Sequence, residues 1–211
     1  MANTTALTGI NGLRDIRRSP ASHLAEALET GSVPGKVVLK EGPFQTMAGV
    51  RVDPSSEEGA RIASVTGGLP VRCGEVAGRE GVSVLWLGPS EFLVVAAEEA
   101  HDSLGGDLIG SLTSALGDAP GQVVDLSANR TTYELSGPRA RAVLEKGCAL
   151  DLHPRKFKPG TALSTEVGNI PVTLWKTGEE SFRLFPRASF ADFLGRWLLD
   201  AMREYASPEV P

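Results

Sequence analysis

The histidines, cysteines, serines and carboxylates of this 211-residue chain are the first candidates for chemistry. Its three histidines, His23, His101 and His153, share no HxH or HxxxH spacing, and Cys73 and Cys148 belong to no CxxC pair. A chain that binds metal alone needs closely spaced imidazole, thiolate or carboxylate ligands, so no metal site is expected. Two distant cysteines also give no disulfide framework. Asp125, Ser127 and His153 are the residue types of a nucleophilic triad. No GxSxG elbow is present to present a serine at a strand-to-helix turn, however. Asp125 and Ser127 are expected to make local turn bonds instead.

Nucleotide chemistry has equally little to stand on. A dinucleotide turn needs GxGxxG between a strand and a helix, and the chain lacks it. "TGG" at 66–68 ends a helical run, and "LGGDLIG" lies in a helical pattern with no strand before it. Trp86, Trp175 and Trp197 read as core or interface anchors rather than cofactor platforms. The net charge of −5 argues against nucleic acid as a partner. No run approaches the roughly 18 apolar residues of a membrane helix. The N-terminus also lacks the order of a secretory signal, so a cytoplasmic protein with no membrane association is expected.

The elements that would position any site read as α+β. Residues 1–18 look like an arm, which either wraps the domain, reaches a partner or is a disordered tail. "SPASHLAEALETGS" predicts a helix capped by Ser19, started by Pro20 and ended at Gly31, with Leu24 and Leu28 on one face. "KVVLKEGPFQTMAGVRVD" predicts two strands around Gly42-Pro43. "SSEEGARIASVTGG" predicts a helix with a serine cap, and "LPVRCGEV" a strand. "GVSVLWLGPSEFLVVAAE" is a hairpin, and "DSLGGDLIGSLTSALG" a helix carrying Leu104, Leu108, Ile109, Leu112 and Leu116.

In the second half, "GQVVDLS" and "RTTYELSG" are strands, and "GPRARAVLEKG" is a helix begun by Pro138 and stopped by Gly147. Strands follow near 162–167, 170–175 and 181–185. The last helix places Phe190, Phe193, Leu194, Trp197, Leu198 and Ala201 along one stripe, before an "SPEVP" tail. "YELSGPRARAVL" and "FRLFPRASFADFL" both run strand, Pro-Arg-Ala, helix. This order predicts two related, closely packed sheet-and-helix units of split βαβ or ferredoxin-like type. The expected divisions are an arm and short helix over 1–35, a first unit over 36–120 and a second over 121–211.

The run "VVDLSANRTTYELSGPRARAVLEKGCALDLHPRKFKPGTALST" resembles the folate-binding aminomethyltransferase superfamily, which includes the glycine-cleavage T-protein. The matching residues are Ser136 to Ala140, then Asp151-Leu152, then Pro159-Gly160. Three further features are similar to a narrower family, the gamma subunit of heterotetrameric sarcosine oxidase. These are the hairpin from Leu87 to Leu93, "VDLS" at Val124 to Ser127 followed by Arg130, and "FRLFPRASFADFLGRWLLDA". The resemblance runs from Val82 to Met202.

It implies an aminomethyltransferase-like fold and a partner assembly of alpha, beta and delta subunits. That assembly oxidatively demethylates sarcosine to glycine with release of hydrogen peroxide, and passes the one-carbon unit to tetrahydrofolate. FAD, FMN, NAD, tetrahydrofolate and zinc are implied on the other subunits, with none on this chain. The transferases carry an aspartate in an "NxxGGxxDD" stretch. The matching region here, "GTALSTEVGNIPVTLWKTGEE", has neither pair, and Glu166 is its one acid inside the strand pair. A lone carboxylate is a poor base unless burial or charge tunes it.

"HPRKFKPG" gathers His153, Arg155, Lys156 and Lys158, which would suit a phosphate or a folate glutamate tail. The preferred reading is a solvated basic loop or a contact with an acidic partner. No catalytic, cofactor-binding or metal residue is therefore assigned. A non-catalytic assembly subunit is the expected function. A free-standing folate-binding protein and a one-carbon transferase of the T-protein type are the alternatives.

Overall fold

Among the described residues, short β-branched runs separated by Gly, Pro and Asn turns fold into ten strands, and the longer amphipathic runs into helices. The structure, a computed structural model, describes residues 17–206. The expected arm, apart from Arg17 and Arg18, and the "SPEVP" tail lie outside the described residues. The first elements are α1 (Ala25–Thr30), β1 (Val38–Glu41), β2 (Gln45–Arg51), α2 (Glu57–Thr66), β3 (Val76–Arg79), β4 (Val82–Gly88), β5 (Glu91–Ala97) and α3 (Leu108–Leu116). Then come β6 (Gln122–Asp125), β7 (Tyr133–Ser136), α4 (Ala140–Glu145), β8 (Ala162–Val167), β9 (Ile170–Gly178), β10 (Ser181–Pro186) and α5 (Ala191–Ala206).

Two five-stranded sheets result, in the orders β3-β4-β5-β2-β6 and β1-β7-β10-β9-β8. Every neighbouring pair is antiparallel. Each sheet is built on the same plan: strand, helix, three-stranded meander, helix. The first is β2-α2-β3-β4-β5-α3 and the second β7-α4-β8-β9-β10-α5. The strand before each unit crosses to the other. β1 leads into β2 but pairs with β7, while β6 leads into β7 but pairs with β2. The α+β fold of two packed sheet-and-helix units is thus interlocked by exchanged strands, and a cut at residue 120 does not separate its sheets.

Period-two alternation sorts side chains into layers. Phe92, Val94 and Ala96 of β5 point at α2 and α3, packing with Ile62, Leu108, Leu112 and Leu116. Leu93 and Val95 point the other way, onto Ala162 and Phe185 of the second sheet, together with Met47 and Leu85. The outer face of the second sheet, including Leu135, Leu174, Phe182 and Leu184, buries Leu24, Leu28, Val143, Leu144, Leu194 and Leu198 from the helices. The order of layers is helix, sheet, sheet, helix.

Several elements differ from the sequence expectation for local reasons. Ser19 does not cap α1. Its hydroxyl donates to Glu41, and a short 3₁₀ turn at Ser22–Leu24 precedes the helix. The "LPVRCGEV" strand starts only at Val76, because the Glu75 carboxylate accepts the Val71 and Arg72 amides and folds the preceding residues into a turn. Helix α3 starts at Leu108, not near Ser103. Gly106 packs against the Ala100 backbone, where a side chain would not fit, and Asp102 accepts the Ile109 and Gly110 amides from outside the helix. In α5, Leu194, Leu198, Ala201 and Met202 are buried, whereas Phe190 and Phe193 are exposed, at 37% and 52%. The inward stripe is therefore rotated away from both phenylalanines.

Gly147, directly past the C-cap of α4, has a second role besides ending the helix. A Cβ there would fall inside van der Waals contact of the Trp197 ring, and one on Gly168 would lie 2.8 Å from the same ring. Trp197 thus stands on two residues without side chains. Gly147→Ala is expected to destabilise the protein by about 2 kcal/mol through overpacking. Trp197→Leu in the same chain should remove most of that penalty, as a urea double-mutant cycle would show.

Candidate functional site

Asp125, the last residue of β6, collects the nearest thing to a catalytic constellation, but with a different histidine from the expected one. His101 Nε2 lies 2.8 Å from Asp125 Oδ2, and the Ser127 amide donates to Asp125 Oδ1 at 2.9 Å, the expected local turn bond. His153 is in a separate loop. The other nitrogen of His101, Nδ1, accepts the Ser103 amide at 3.1 Å and lies 2.6 Å from Ser103 Oγ. Nδ1 is therefore engaged as the cap of a 3₁₀ turn at Asp102–Leu104, and Nε2–H is left to donate to Asp125. A general base needs that lone pair free. Ser127 is buried, its Oγ accepting the Met47 amide at 3.0 Å. This group ties strands and turns together.

Burial alone would raise the Asp125 carboxyl, but hydrogen bonds from Ser127 and His101 outweigh it and hold the group below its ordinary range.

The "HPRKFKPG" loop closes on itself. Asp151 accepts the His153 amide, His153 Nδ1 accepts the Arg155 amide, and the His153 carbonyl accepts those of Lys156 and Phe157. Phe157 is buried and stacks on Phe182 with centroids 6.4 Å apart. Arg155, Lys156 and Lys158 point to solvent. What holds the loop is Lys176 of β9, fully buried at 0% exposure, whose Nζ donates to the Phe157 carbonyl at 3.1 Å. Sequence reasoning missed it. The only signal was a lysine at an inward position of an alternating strand. Phe157→Ala should cost about 4 kcal/mol and expose the loop to limited proteolysis.

The remaining candidates are dispersed. Glu166 is exposed on β8, opposite Pro171 of β9, while Val167, Ile170, Val172 and Leu174 fill the interior side. The strand pair therefore presents no carboxylate to an enclosed site, and the residues present do not fit one-carbon chemistry on tetrahydrofolate. Gly67 of "TGG" closes α2 as its left-handed cap. Trp86, Trp175 and Trp197 are all half-buried. Among the described residues no three His, Cys, Asp or Glu side chains cluster as metal ligands would. No described helix is long and apolar enough to cross a membrane.

One cavity is placed by the fold itself, where the two exchanged strands cross. It has about 210 Å³ and is lined by Arg17, Arg18, Gln45, Ser127, Arg130 and Thr132, among others. Its walls are tied across the crossing: the Gly42 amide donates to the Thr132 carbonyl, Thr132 Oγ1 to Gln45, Thr131 Oγ1 to Glu41 and the Leu126 amide to the Met47 carbonyl.

Comparison with known proteins assigns this arrangement. Residues 50–204 match the model of the sarcosine oxidase gamma subunit family. The chain belongs to this family. A sarcosine oxidase subunit gamma from an Arthrobacter species is 54% identical over 92% of this chain and 94% of its own length. That from Corynebacterium sp. strain U-96 is 49% identical over 100% of both chains. A solved heterotetrameric sarcosine oxidase from Corynebacterium sp. U-96, in complex with pyrrole 2-carboxylate, contains a chain matching 93% of this one, with a TM-score of 0.87 at 50% identity. The glycine cleavage aminomethyltransferase T of Bartonella henselae shares the fold, with a TM-score of 0.63 at 16% identity over 57% of its chain. Both Asp125 carboxylate oxygens are engaged by hydrogen bonds.

The sign of its pH dependence follows. A carboxyl held low in the folded state contributes stability above its unfolded value, near 3.9, and loses it as pH falls through the folded value. Asp125→Asn is expected to cost about 1 kcal/mol at pH 7. The gap from wild type should close progressively as pH falls below about 4, measured as urea midpoints across pH.

Proposed function

We propose that this chain is the gamma subunit of a heterotetrameric sarcosine oxidase and serves assembly rather than bond chemistry. The observation that carries this is the full-length match to gamma subunits. The exposed Glu166 and the fully engaged His101 support it, since neither is arranged as an acid or base. The alpha, beta and delta subunits would hold FAD, FMN, NAD, tetrahydrofolate and zinc. In the cytoplasm the complex would oxidatively demethylate sarcosine to glycine, reducing oxygen to hydrogen peroxide and passing the one-carbon unit to tetrahydrofolate. A free-standing folate protein or a T-protein-type transferase gains no support from the β8–β9 pair.

The exposed Phe190 and Phe193 at the start of α5 are suited to partner burial, since aromatic side chains dominate interface energetics. Co-expression of this chain with its genomic partners should give a four-subunit species by native mass spectrometry. The purified chain alone should form no peroxide from sarcosine. Sarcosine-dependent peroxide from this chain by itself would overturn the reading. Phe193→Ser should weaken retention of the chain on gel filtration about tenfold, an interface loss near 1.4 kcal/mol.

A further inference from the structure

The crossover cavity holds an arginine, Arg130, that makes no salt bridge with a described residue, while Arg17 in the same lining is paired with Glu98. Arg130 lies in its wall: Nη1 donates to the Phe185 carbonyl at 2.9 Å, and Nε is buried without a hydrogen-bond partner. Arg187 pairs directly opposite Arg130 across an antiparallel bridge. Like charges in that position repel, and a desolvated guanidinium without a counter-ion is costly. Burial, then repulsion from Arg187, makes Arg130 easier to deprotonate than an ordinary arginine, and longer-range attraction to Glu91 only partly offsets this.

The acids nearby are already engaged. Glu41 accepts from Ser19 Oγ, the Ala21 amide and Thr131 Oγ1. Glu98 pairs with Arg17, and Glu91 with Arg51. Arg18, on the lining of the same cavity, makes no ion pair with a described residue. At about 210 Å³ the space is smaller than the roughly 300–1,000 Å³ of drug-sized sites. It suits one acidic side chain or a small organic acid.

We propose that the crossover cavity is a carboxylate-binding socket with Arg130 as its anchoring cation and Arg187 and Arg18 adding to its field. The carboxylate comes from an acidic side chain of a partner subunit or from a small free acid. The first source rests on the assembly reading above; the second does not.

Acetate is the probe. Melting of the full chain in 0.2 M sodium acetate is compared with 0.2 M sodium chloride at the same pH. The expected result is a rise of about 3 °C in acetate for wild type, none for Arg130→Gln and a smaller rise for Arg187→Gln. Equal wild-type melting in the two salts overturns the socket, whether or not the variants fold. A second arm follows retention of wild type and Arg130→Gln by co-expressed partner subunits. An acetate rise with about tenfold weaker retention of Arg130→Gln identifies a partner's carboxylate. An acetate rise with unchanged retention identifies a free acid. Failure of wild type itself to be retained counts against the assembly reading and leaves the acetate result standing on its own.

Discussion

Three residues, Gly42 to Phe44, separate β1 from β2, yet the two strands hydrogen-bond into different sheets. The reciprocal link from β6 to β7 does the same in the other direction. Everything else in the fold depends on this double exchange. Pairing each of these strands with its neighbour in sequence would leave two five-stranded units able to part. The exchange makes each unit's fifth strand a covalent continuation of the other, so separating the sheets means breaking backbone ladders. Burial of Met47, Leu85, Leu93 and Phe185 between the sheets then adds to a topology that already holds them together. The outer edge of β1 is itself closed: Ser32 Oγ accepts the Leu39 amide and donates to its carbonyl. That leaves less open ladder for unwanted strand pairing.

The same fold occurs in a glycine cleavage aminomethyltransferase, and in the present chain the strand pair around Glu166 is set by packing and turn geometry. The β8–β9 hairpin turns at Gly168 and Asn169, both at positive φ, 59° and 65°, as a tight two-residue turn requires. Trp197 packs on that turn and on Gly147. The strands send apolar residues inward and their acid, Glu166, outward. Each of these positions is accounted for by packing or turn geometry alone. The layered cores and the crossing are enough to hold this pair in place.

Much of this was legible in the sequence because it is local. The serine cap and acidic first turn of α2, the hairpin of β4 and β5, and the strand-helix runs through Ser136-Gly137-Pro138 are read from adjacent residues. The family motifs were equally readable. The partner of Asp125 was not, since His101 is 24 residues away and its position depends on a turn closed by Ser103. Nor was the burial of Lys176, whose bond to Phe157 reaches back across β8 and most of β9. The outward rotation of Phe190 and Phe193 was hidden for a related reason. Helical period fixes which residues share a face, whereas the face turned inward here is the one against Tyr133 and Leu24, both close to the small Gly195. The strand exchange was least visible of all. "KVVLKEGPFQTMAGVRVD" reads as two neighbouring strands, and nothing within those residues says that the partner of β1 lies more than 90 positions away, in the other sheet from β2.

Placing like charges at the crossing has consequences beyond the cavity. Arg130 belongs to the segment that leads from one sheet into the other, and Arg187 follows the strand that pairs with β7. Their repulsion therefore acts on the connection that interlocks the units, where Arg130 Nη1 is already held by the Phe185 carbonyl. A carboxylate entering there would relieve repulsion and desolvation together, and would bind the folded crossing better than an unfolded chain in which the two arginines are far apart. Linkage then requires that occupancy stabilise the crossing by the same free energy by which the crossing favours occupancy. In a chain whose rigidity depends on two exchanged strands, the socket and the fold are one thermodynamic element.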